Sequence, residues 1–355
     1  MSYMLTFHFY RSLTTCATIS TMNISNHNVT YTTTVFQRQV PDWCIYVSLV
    51  YCLVVWIIGV PGNLVILRVM YSVKHKSSTD VFVLCLAISD LMAIVANMPT
   101  HLVFDIKRWT HVGPDVLCKI HNFLFVFTFI SSELLFTLIG IDRYVKVFRP
   151  RCRNVFEKRA VFVSVFVFML SIFVAVRRGI ISELDSFGEC QFHSASPTQE
   201  NNLQSTINLV GIALPVIVIC ISYLRIGIRL QKVVQPVGIS TISDRLVSPK
   251  LNVNSYRNLK LLSTSKALAC MSFMYLGFTV VSSMIAQCMY LSRLCLTDIG
   301  AVITFIFARL YYVNACNNPY IFSHMNSEFN NRVKKMFAKC SICTTSTDSN
   351  MHSYS

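Results

Sequence analysis

Residues 44–70 read CIYVSLVYCLVVWIIGVPGNLVILRVM, an apolar stretch whose one charged residue, Arg68, lies near its end. A helix needs about 20 apolar residues to cross the hydrocarbon core of a bilayer. Lipid offers no water to the backbone, so a single stretch of this kind satisfies its polar groups only as a helix. The segment therefore predicts a transmembrane helix.

Six further apolar stretches follow it, at 80–104, 117–141, 159–176, 204–230, 264–291 and 297–323. Only 13% of the 355 residues are charged, whereas soluble proteins carry about 25%. Much of the surface is therefore expected to face lipid. The predicted fold is an all-α integral membrane protein: a seven-transmembrane helix bundle with a short amphipathic surface helix after helix 7.

The distribution of charge predicts the orientation of the bundle. Most of the 31 Lys and Arg residues lie in the connectors after the first, third and fifth stretches and in the carboxyl-terminal segment. Basic loops stay in the cytoplasm, so the amino terminus is expected outside the cell. Asn23-Ile-Ser25 and Asn28-Val-Thr30 fit the acceptor pattern for N-glycosylation, and both then lie on the outer side.

The net charge of +15 would suggest a nucleic-acid partner in a soluble protein. Here the basic residues lie between apolar stretches, so membrane lipid is expected as a partner and nucleic acid is not. Either Met1 or Met22 fits as the start of the chain. The predicted divisions are an extracellular glycosylated tail, the seven-helix transmembrane domain, the amphipathic membrane-surface helix and a cytoplasmic tail, at 1–43, 44–326, 327–339 and 340–355 respectively.

Polar side chains inside the stretches are costly in lipid, and each is a candidate for function. Asp90 lies in the middle of the second stretch and Glu133 within the third, while Asn63, Asn314 and Asn318 lie in the first and the last. An amide such as Asn63 serves equally well to join helices by hydrogen bonds. A buried carboxylate instead requires a cation, a proton or several donors, which makes Asp90 a functional candidate.

Several short motifs follow one another along the stretches. They are Gly62-Asn63-Leu64-Val65, Leu86-Ala87-Ile88-Ser89-Asp90, Asp142-Arg143-Tyr144, Pro215, Tyr223 and Asn318-Pro319. In this order and at these depths the chain resembles the rhodopsin-like (class A) family of G-protein-coupled receptors, and most of all its peptide receptors. The resemblance implies a plasma-membrane receptor that binds an extracellular peptide and activates a heterotrimeric G protein, with arrestin and receptor kinases as further partners.

The resemblance also implies a switch at the inner end of the third helix. In the family, the residue matching Asp142 holds the one matching Arg143 at rest, and the arginine meets the G protein once helix 6 swings outward. The implied switch residues are Asp142, Arg143, Tyr144, Tyr223, Asn318, Pro319 and Phe322. Arg257 stands where many members carry an acidic restraint, so basal signalling is expected. Phe322 replaces the family's switch tyrosine, which leaves the details of activation open.

Two further sites are carried over from the family. An allosteric sodium ion is implied at Asp90, Ser132, Asn314 and Asn318, although the same residues would also suit a hydrated polar network without an ion. No other cofactor is implied. Cys118 and Cys190 match the family disulfide at the outer face, while a pairing of Cys288 with Cys295 stays open.

The segment after helix 7 predicts an amphipathic helix that lies on the membrane surface. Ser327 and Glu328 are expected to cap it, and Phe329 begins its apolar face. Cys340 and Cys343 just beyond it are candidate palmitoylation sites. The serines and threonines of the final residues are candidates for phosphorylation and arrestin binding.

The resemblance places a ligand pocket between helices 3, 6 and 7. Phe125 occupies the position of the aspartate that amine receptors need, and Tyr312 that of the lysine that binds retinal, so neither ligand class is expected. The expected pocket residues are His121, Asn122, Phe125, Val126, Phe129, Tyr275, Phe278 and Tyr312. Such an aromatic wall with few polar groups suits a small molecule or the end of a peptide, and a neuropeptide is the favoured ligand.

Two other classes of function are kept as alternatives. A non-signalling or arrestin-biased scavenger receptor fits the departures at Tyr275 and Phe322. A transporter fits less well, because the sequence has no internal repeats or paired broken spans. No nucleophile–base pair or metal-ligand spacing stands out, so an enzyme is not expected.

Overall fold

The structure is a computed structural model that describes residues 15–25, 28–37, 42–107, 115–184, 190–192, 213–229, 264–282, 306, 309–326 and 328–338. Eight helices account for most of these residues. In chain order they are α1 (Asp42–Tyr71), α2 (Ser78–Met92, continued through Ala93–Asn97 and Met98–Lys107), α3 (Asp115–Phe148), α4 (Arg153–Ile180), α5 (213–229), α6 (264–282), α7 (Leu310–Met325) and α8 (328–338).

Five of the described helical segments are long and apolar enough to cross a membrane: Tyr46–Tyr71, Ser78–Thr100, Asp115–Phe148, Asn154–Ile180 and Thr264–Ser282. They match five of the predicted stretches. α3 and α4 extend beyond those stretches at both ends, because a helix continues into the polar interface after its apolar part ends. The described parts of α5 and α7 cover the remaining two stretches in part.

The outward surface of the bundle is apolar. Phe162 and Phe173 of α4 are 73% and 77% exposed, and Ile57 of α1 is similarly open. A soluble monomer rarely exposes such contiguous apolar area. These faces are therefore the ones that meet lipid.

The described buried residues form two apolar clusters inside the bundle. We name the end of the bundle that carries Arg143 the inner end and the opposite end the outer end. The inner cluster centres on Leu86, Phe136 and Tyr275, and continues to Phe322 and Phe329. The outer cluster centres on Ile94, Phe125, Val126, Tyr311 and Tyr312. α3 packs against α2 and α4, and α7 packs against α1, so α3 contributes to both clusters and forms the axis of the bundle.

α2 begins with a reciprocal cap and is interrupted by a π turn. The Ser77 backbone N–H donates to Asp80 Oδ2 over 2.9 Å, and the Asp80 N–H donates to Ser77 Oγ over 3.3 Å, which is a capping box. The π turn Ala93–Asn97 comes just before Pro99, which has no amide hydrogen for the regular helical bond. The indole Nε1 of Trp56 on α1 donates to the Ile94 carbonyl oxygen in this turn over 2.9 Å.

Outside the helix bundle the chain also contains two small antiparallel sheets, which were not predicted. β1 (Thr15–Ser25) pairs with β2 (Asn28–Gln37), and β3 (Ser182–Leu184) pairs with β4 (Cys190–Phe192). β1 and β2 are rich in threonine and other β-branched residues, which favour strands over helices. The segment at 1–43, predicted as an extracellular glycosylated tail, therefore contains a hairpin that was not predicted.

The start of α8 is capped by a residue at the end of α7. The side chain of Asn326 accepts the Phe329 backbone N–H, over 3.2 Å, while the predicted cap residue Ser327 lies outside the described residues. Phe329 is buried against Phe322, with ring centroids 5.1 Å apart. α8 is thereby packed onto the inner end of α7.

Candidate functional site

The inner end of α3 carries a buried ion pair. Arg143 Nη2 lies 3.0 Å from Asp142 Oδ2, with the two side chains 4% and 1% exposed. The Arg143 Nε has no hydrogen-bond partner among the described residues. The guanidinium is therefore held by one carboxylate oxygen and not by a complete set of acceptors.

Asp142 has three other donors besides Arg143. Ser78 Oγ donates to its Oδ1 over 2.5 Å, and Thr79 Oγ1 donates to its Oδ2 over 2.8 Å. Lys146 Nζ also donates to Oδ2, over 2.9 Å. The start of α2 and two turns of α3 thus meet at one carboxylate.

These three partners were missed in the sequence. The spacing of Lys146, four residues after Asp142, places both on one helix face and could have revealed the pair. Nothing local reveals Ser78 and Thr79, because they lie 64 and 63 residues away from Asp142 in the chain.

Two of the other predicted switch residues, Tyr144 and Tyr223, make aromatic contacts near this ion pair. Tyr223 of α5 is buried and its ring lies 5.9 Å from that of Phe273. Tyr144 stacks on Phe148 at 4.8 Å, and the Arg229 guanidinium lies over the same ring at 4.9 Å. Aromatic and cationic contacts therefore join α3 and α5 at the inner face.

A polar centre lies between α2 and α7, deeper in the bundle. Asn318 Nδ2 donates to Asp90 Oδ2 over 2.9 Å. Within the described chain, Asp90 Oδ1, Asn314 Oδ1 and Asn318 Oδ1 are buried without a hydrogen-bond donor. Asn314 and Asn318 are four residues apart on α7 and so share a face.

The residues at this centre suit a small hard cation. Such ions prefer carboxylate and carbonyl oxygens, and three of these oxygens have no protein donor. The hydroxyl of Ser132 is bonded to Ser89 Oγ at 3.0 Å. The donor set of Asp90, Ser132, Asn314 and Asn318 therefore fits the implied sodium ion, which would offset the buried negative charge.

α1 is joined closely to α7 beside this centre. Asn63 Nδ2 donates to the Gly59 and Ala315 carbonyl oxygens over 3.0 and 2.9 Å. A Cβ atom added at Gly62 would lie 3.0 Å from Pro319 Cβ. Asn63 therefore joins helices, which was one of its two predicted roles.

The inner end of α7 differs from the family pattern in a visible way. Phe322 is buried with its ring against Phe329. The phenyl ring has no hydroxyl to donate a hydrogen bond, and it packs on another ring. Phe322 thus serves as a packing residue between α7 and α8.

The expected pocket residues of α3 lie in the outer half of the bundle. His121 Nδ1 and Thr100 Oγ1 are 2.9 Å apart. Phe125 stacks on Phe129 at 5.8 Å, and Tyr311 of α7 is tilted against both rings at 5.7 and 5.9 Å. This group, with Val126 and Tyr312 nearby in the outer cluster, forms an aromatic wall.

Tyr275 and Phe278 of α6 are placed differently from each other. Tyr275 stacks on Phe136 at 4.5 Å within the inner cluster and is 1% exposed. Phe278 is half-buried, close to one turn further along α6. Tyr275 therefore belongs to the inner cluster, whereas Phe125 and Tyr311 belong to the outer one.

Two residues of the outer half were missed in the sequence. Tyr311 makes the aromatic contacts described above, whereas its neighbour Tyr312 was the predicted pocket residue. Asn97 lies in the π turn of α2 and is fully buried, and neither of its side-chain polar atoms has a partner in the described part of the chain. Pro99 could have indicated an irregular turn in α2, because proline lacks the amide hydrogen of a regular helix. Such π turns often accompany functional sites, which makes Asn97 a candidate residue.

The remaining predicted residues are described only in part. Cys118 is buried and disulfide-bonded, and β4 begins at Cys190, whose side chain is not described. Asn122 Nδ2 donates to the Cys118 carbonyl oxygen over 3.2 Å. Asn23 and Asn28 lie on β1 and β2. The predicted residues outside the described ranges are Arg257, Cys288, Cys295, Ser327, Cys340 and Cys343.

Comparison with known proteins gives a family match and several relatives. The family described as 7 transmembrane receptor (rhodopsin family) matches residues 62–322. Human atypical chemokine receptor 4 is 23% identical over 301 residues, or 82% of this chain and 79% of the relative. Type-1 angiotensin II receptor B of Xenopus laevis is 24% identical over 289 residues, or 78% and 74% of the two chains. G-protein coupled receptor homolog K2 of swinepox virus (strain Kasza) is 23% identical over 192 residues, or 51% of each chain.

All three relatives are named as receptors and none as an enzyme. The family match begins at Gly62 and ends at Phe322, so it includes the polar centre, the ion pair of α3 and the aromatic wall. The chain therefore belongs to the rhodopsin-like (class A) family of G-protein-coupled receptors, most like its peptide receptors, and is a multi-pass membrane protein.

Proposed function

We propose that this receptor binds an extracellular peptide, a neuropeptide, at the outer half of the bundle and activates a heterotrimeric G protein at the inner face. In this proposal all seven helices α1–α7 cross the plasma membrane and the amino terminus lies outside the cell. α8 lies on the inner membrane surface. The helix bundle and the family membership support this proposal.

The observation that carries it is the buried pair of Arg143 and Asp142. Burying an ion pair gains little or no net stability, because desolvation offsets the attraction. A stably folded bundle has no need of one at its cytoplasmic end. A pair with one contact of 3.0 Å and an unused Nε suits an arginine that must leave its partner. In the proposed active state Arg143 meets the G protein.

The polar centre supplies the second part of the proposed mechanism. Asp90, Asn314 and Asn318, with Ser132, would hold a sodium ion in the resting receptor. A ligand shifts an equilibrium only by its differential affinity for the two states. Sodium would therefore favour the resting state, and agonist binding would be weakened as its concentration rises.

The outer aromatic wall supports a peptide ligand. Phe125, Phe129 and Tyr311 offer stacking surface, while His121 and Thr100 add a polar pair at one side. Aromatic and amide side chains recognise the end of a peptide by stacking and by backbone hydrogen bonds. The names of the relatives, which specify chemokine and angiotensin II receptors, agree with this ligand class.

The carboxyl-terminal segment is proposed to control the duration of the signal. Val333 and Met336 of α8 pack against the inner cluster, while Lys334 and Lys335 are exposed and suited to anionic lipid. Palmitoyl groups on Cys340 and Cys343 would anchor the end of α8. Receptor kinases and arrestin would act on the tail beyond.

A scavenger that binds its ligand without activating a G protein is the second candidate. It is favoured by two departures, Phe322 and the deeply buried Tyr275, and by the name of the atypical chemokine receptor among the relatives. In this case the pair of Asp142 and Arg143 would still respond to arrestin. Family membership leaves the transporter alternative without support.

One experiment separates the two candidates. The receptor is expressed with each class of G protein, and a peptide library is screened for nucleotide exchange and for arrestin recruitment in parallel. Exchange that is lost in Arg143→Ala supports the proposed function. Arrestin recruitment by a peptide that induces no exchange with any G protein supports the scavenger, and a library without hits in either readout contradicts the peptide ligand.

A further inference from the structure

Lys146 lies at the same oxygen atom that holds Arg143. Its Nζ is 2.9 Å from Asp142 Oδ2 and 2.7 Å from Thr79 Oγ1. The Lys146 side chain is only 7% exposed, so water does not screen this contact well. One carboxylate oxygen therefore serves two cations, one from the next residue of α3 and one from the following turn.

This sharing weakens the hold of Asp142 on Arg143. The two positive charges repel each other across a common acceptor, and a given oxygen accepts each of two donors less strongly than one. The resting position of Arg143 is therefore less favourable than it would be beside Asp142 alone.

Lys146 also changes what remains after Arg143 has left. Removing one partner of a buried pair is normally costly, because the other charge stays buried and unpaired. Here Asp142 would keep Ser78 on Oδ1, and Thr79 and Lys146 on Oδ2. The carboxylate stays neutralised and hydrogen-bonded, so the release of Arg143 costs less.

We propose that Lys146 is a positioning residue that keeps Asp142 paired when Arg143 departs, and that it thereby raises the fraction of active receptor in the absence of ligand. This inference rests on the proposed function, in which release of Arg143 accompanies activation. It assigns the basal activity to a residue of α3 and not only to the missing restraint at Arg257.

The test compares ligand-free receptors in nanodiscs, each incubated with a panel of purified G proteins while nucleotide exchange is measured. Lys146→Met removes the charge and keeps most of the volume. We expect its exchange rate to fall about two- to tenfold, the lower part of the range for residues in direct contact. Lys146→Arg keeps the charge and should retain exchange near the wild-type rate.

Lys119→Met is the matched control, because Lys119 makes a pair of the same spacing with Asp115, at 2.8 Å, at the other end of the same helix. Its exchange rate should equal that of the wild type. A fall in Lys119→Met as large as that in Lys146→Met would contradict the proposal, since any lost pair on α3 would then have the same effect.

A double-mutant cycle decides whether Lys146 acts through Asp142. In the Asp142→Asn background there is no carboxylate to hold, so adding Lys146→Met should change the exchange rate no further. If Lys146→Met lowers the rate equally in both backgrounds, the lysine contacts the G protein directly and the proposal is wrong.

A distance measurement keeps the inference separate from the proposed function. Spin labels are attached at Arg151→Cys and Lys266→Cys, two exposed inner positions, after the native reactive cysteines, including the exposed Cys152 and Cys220, have been replaced by serine. They report the outward movement of α6 without any G protein. The ligand-free wild type should contain a longer-distance population that Lys146→Met reduces by a similar factor. No exchange with any G protein in the peptide screen would defeat the proposed function, whereas a distance distribution unaffected by Lys146→Met in the ligand-free receptor defeats the role of Lys146.

Discussion

The contact of α1 with α2 and α7 at Gly59 leads to a prediction that can be worked through in detail. A Cβ atom added at Gly59 would lie 2.5 Å from Ile94 Cδ1 and 2.7 Å from Cys316 Sγ. Both distances are well below van der Waals contact, so both side chains must move. Cys316 Sγ would also give up its bond to the Val55 carbonyl oxygen, which is 3.3 Å long.

The expected size of the effect follows from two opposing contributions. Inserting a methyl group into a packed core costs about 1–3 kcal/mol. Replacing a helical glycine by alanine gains about 1 kcal/mol of helix propensity. Gly59→Ala is therefore expected to change the free energy of unfolding by between about zero and 2 kcal/mol, in the destabilising direction.

Gly227→Ala provides the matched control, because a Cβ at this position of α5 meets no described atom within 4 Å. It should gain the propensity without the clash. Thermal unfolding of the purified receptors in detergent, followed by the exposure of buried thiols, should place Gly59→Ala below Gly227→Ala by about 1–3 kcal/mol.

A partial rescue tests the cause. Ile94→Val removes the Cδ1 atom at 2.5 Å, so Gly59→Ala should cost less in that background than in the wild type. Equal unfolding temperatures for Gly59→Ala and Gly227→Ala would refute the reasoning. It would also be refuted if Ile94→Val changed the unfolding temperature of Gly59→Ala no more favourably than it changes that of the wild type.

Three further outcomes are expected. Asn97→Leu should raise the free energy of unfolding by about 1–3 kcal/mol, because it removes a buried amide without partners; a lower unfolding temperature would show that water satisfies the amide. Trp56→Phe should lower the free energy of unfolding by about 0.5–1.5 kcal/mol, through loss of the bond to the π turn, and a stability equal to wild type would contradict this. Sodium should raise the unfolding temperature of the wild type relative to a bulky organic cation but leave Asp90→Asn unchanged, and an equal shift in both proteins would exclude an ion at Asp90.

Much of the bundle is predictable from the sequence because lipid imposes a simple rule on it. A long apolar stretch must form a helix, and α1, α3 and α4 lie where the apolar residues indicate. The motif around Arg143 is equally local, since its carboxylate partner is the preceding residue. Each of these predictions depends on interactions within one segment of chain.

The features that were not predicted depend on contacts between segments. Ser78 and Thr79 reach Asp142 only because α2 and α3 pack together at their inner ends. The depth of Tyr275 depends on Phe136 of another helix, and the β1–β2 hairpin depends on pairing between two strands. Composition describes neither the crossing of two helices nor the register of two strands.

The packing of Phe329 on Phe322 makes α7 and α8 a single mechanical unit across the turn at Asn326. If α8 lies on the bilayer as proposed, a rotation of α7 moves the exposed Lys334 and Lys335 of α8 relative to the headgroups of the inner leaflet. The work done against those headgroups then becomes part of the energy of switching. We expect the balance of resting and active receptor to depend on the anionic lipid content of the membrane, so the bilayer would act as a further ligand of the receptor.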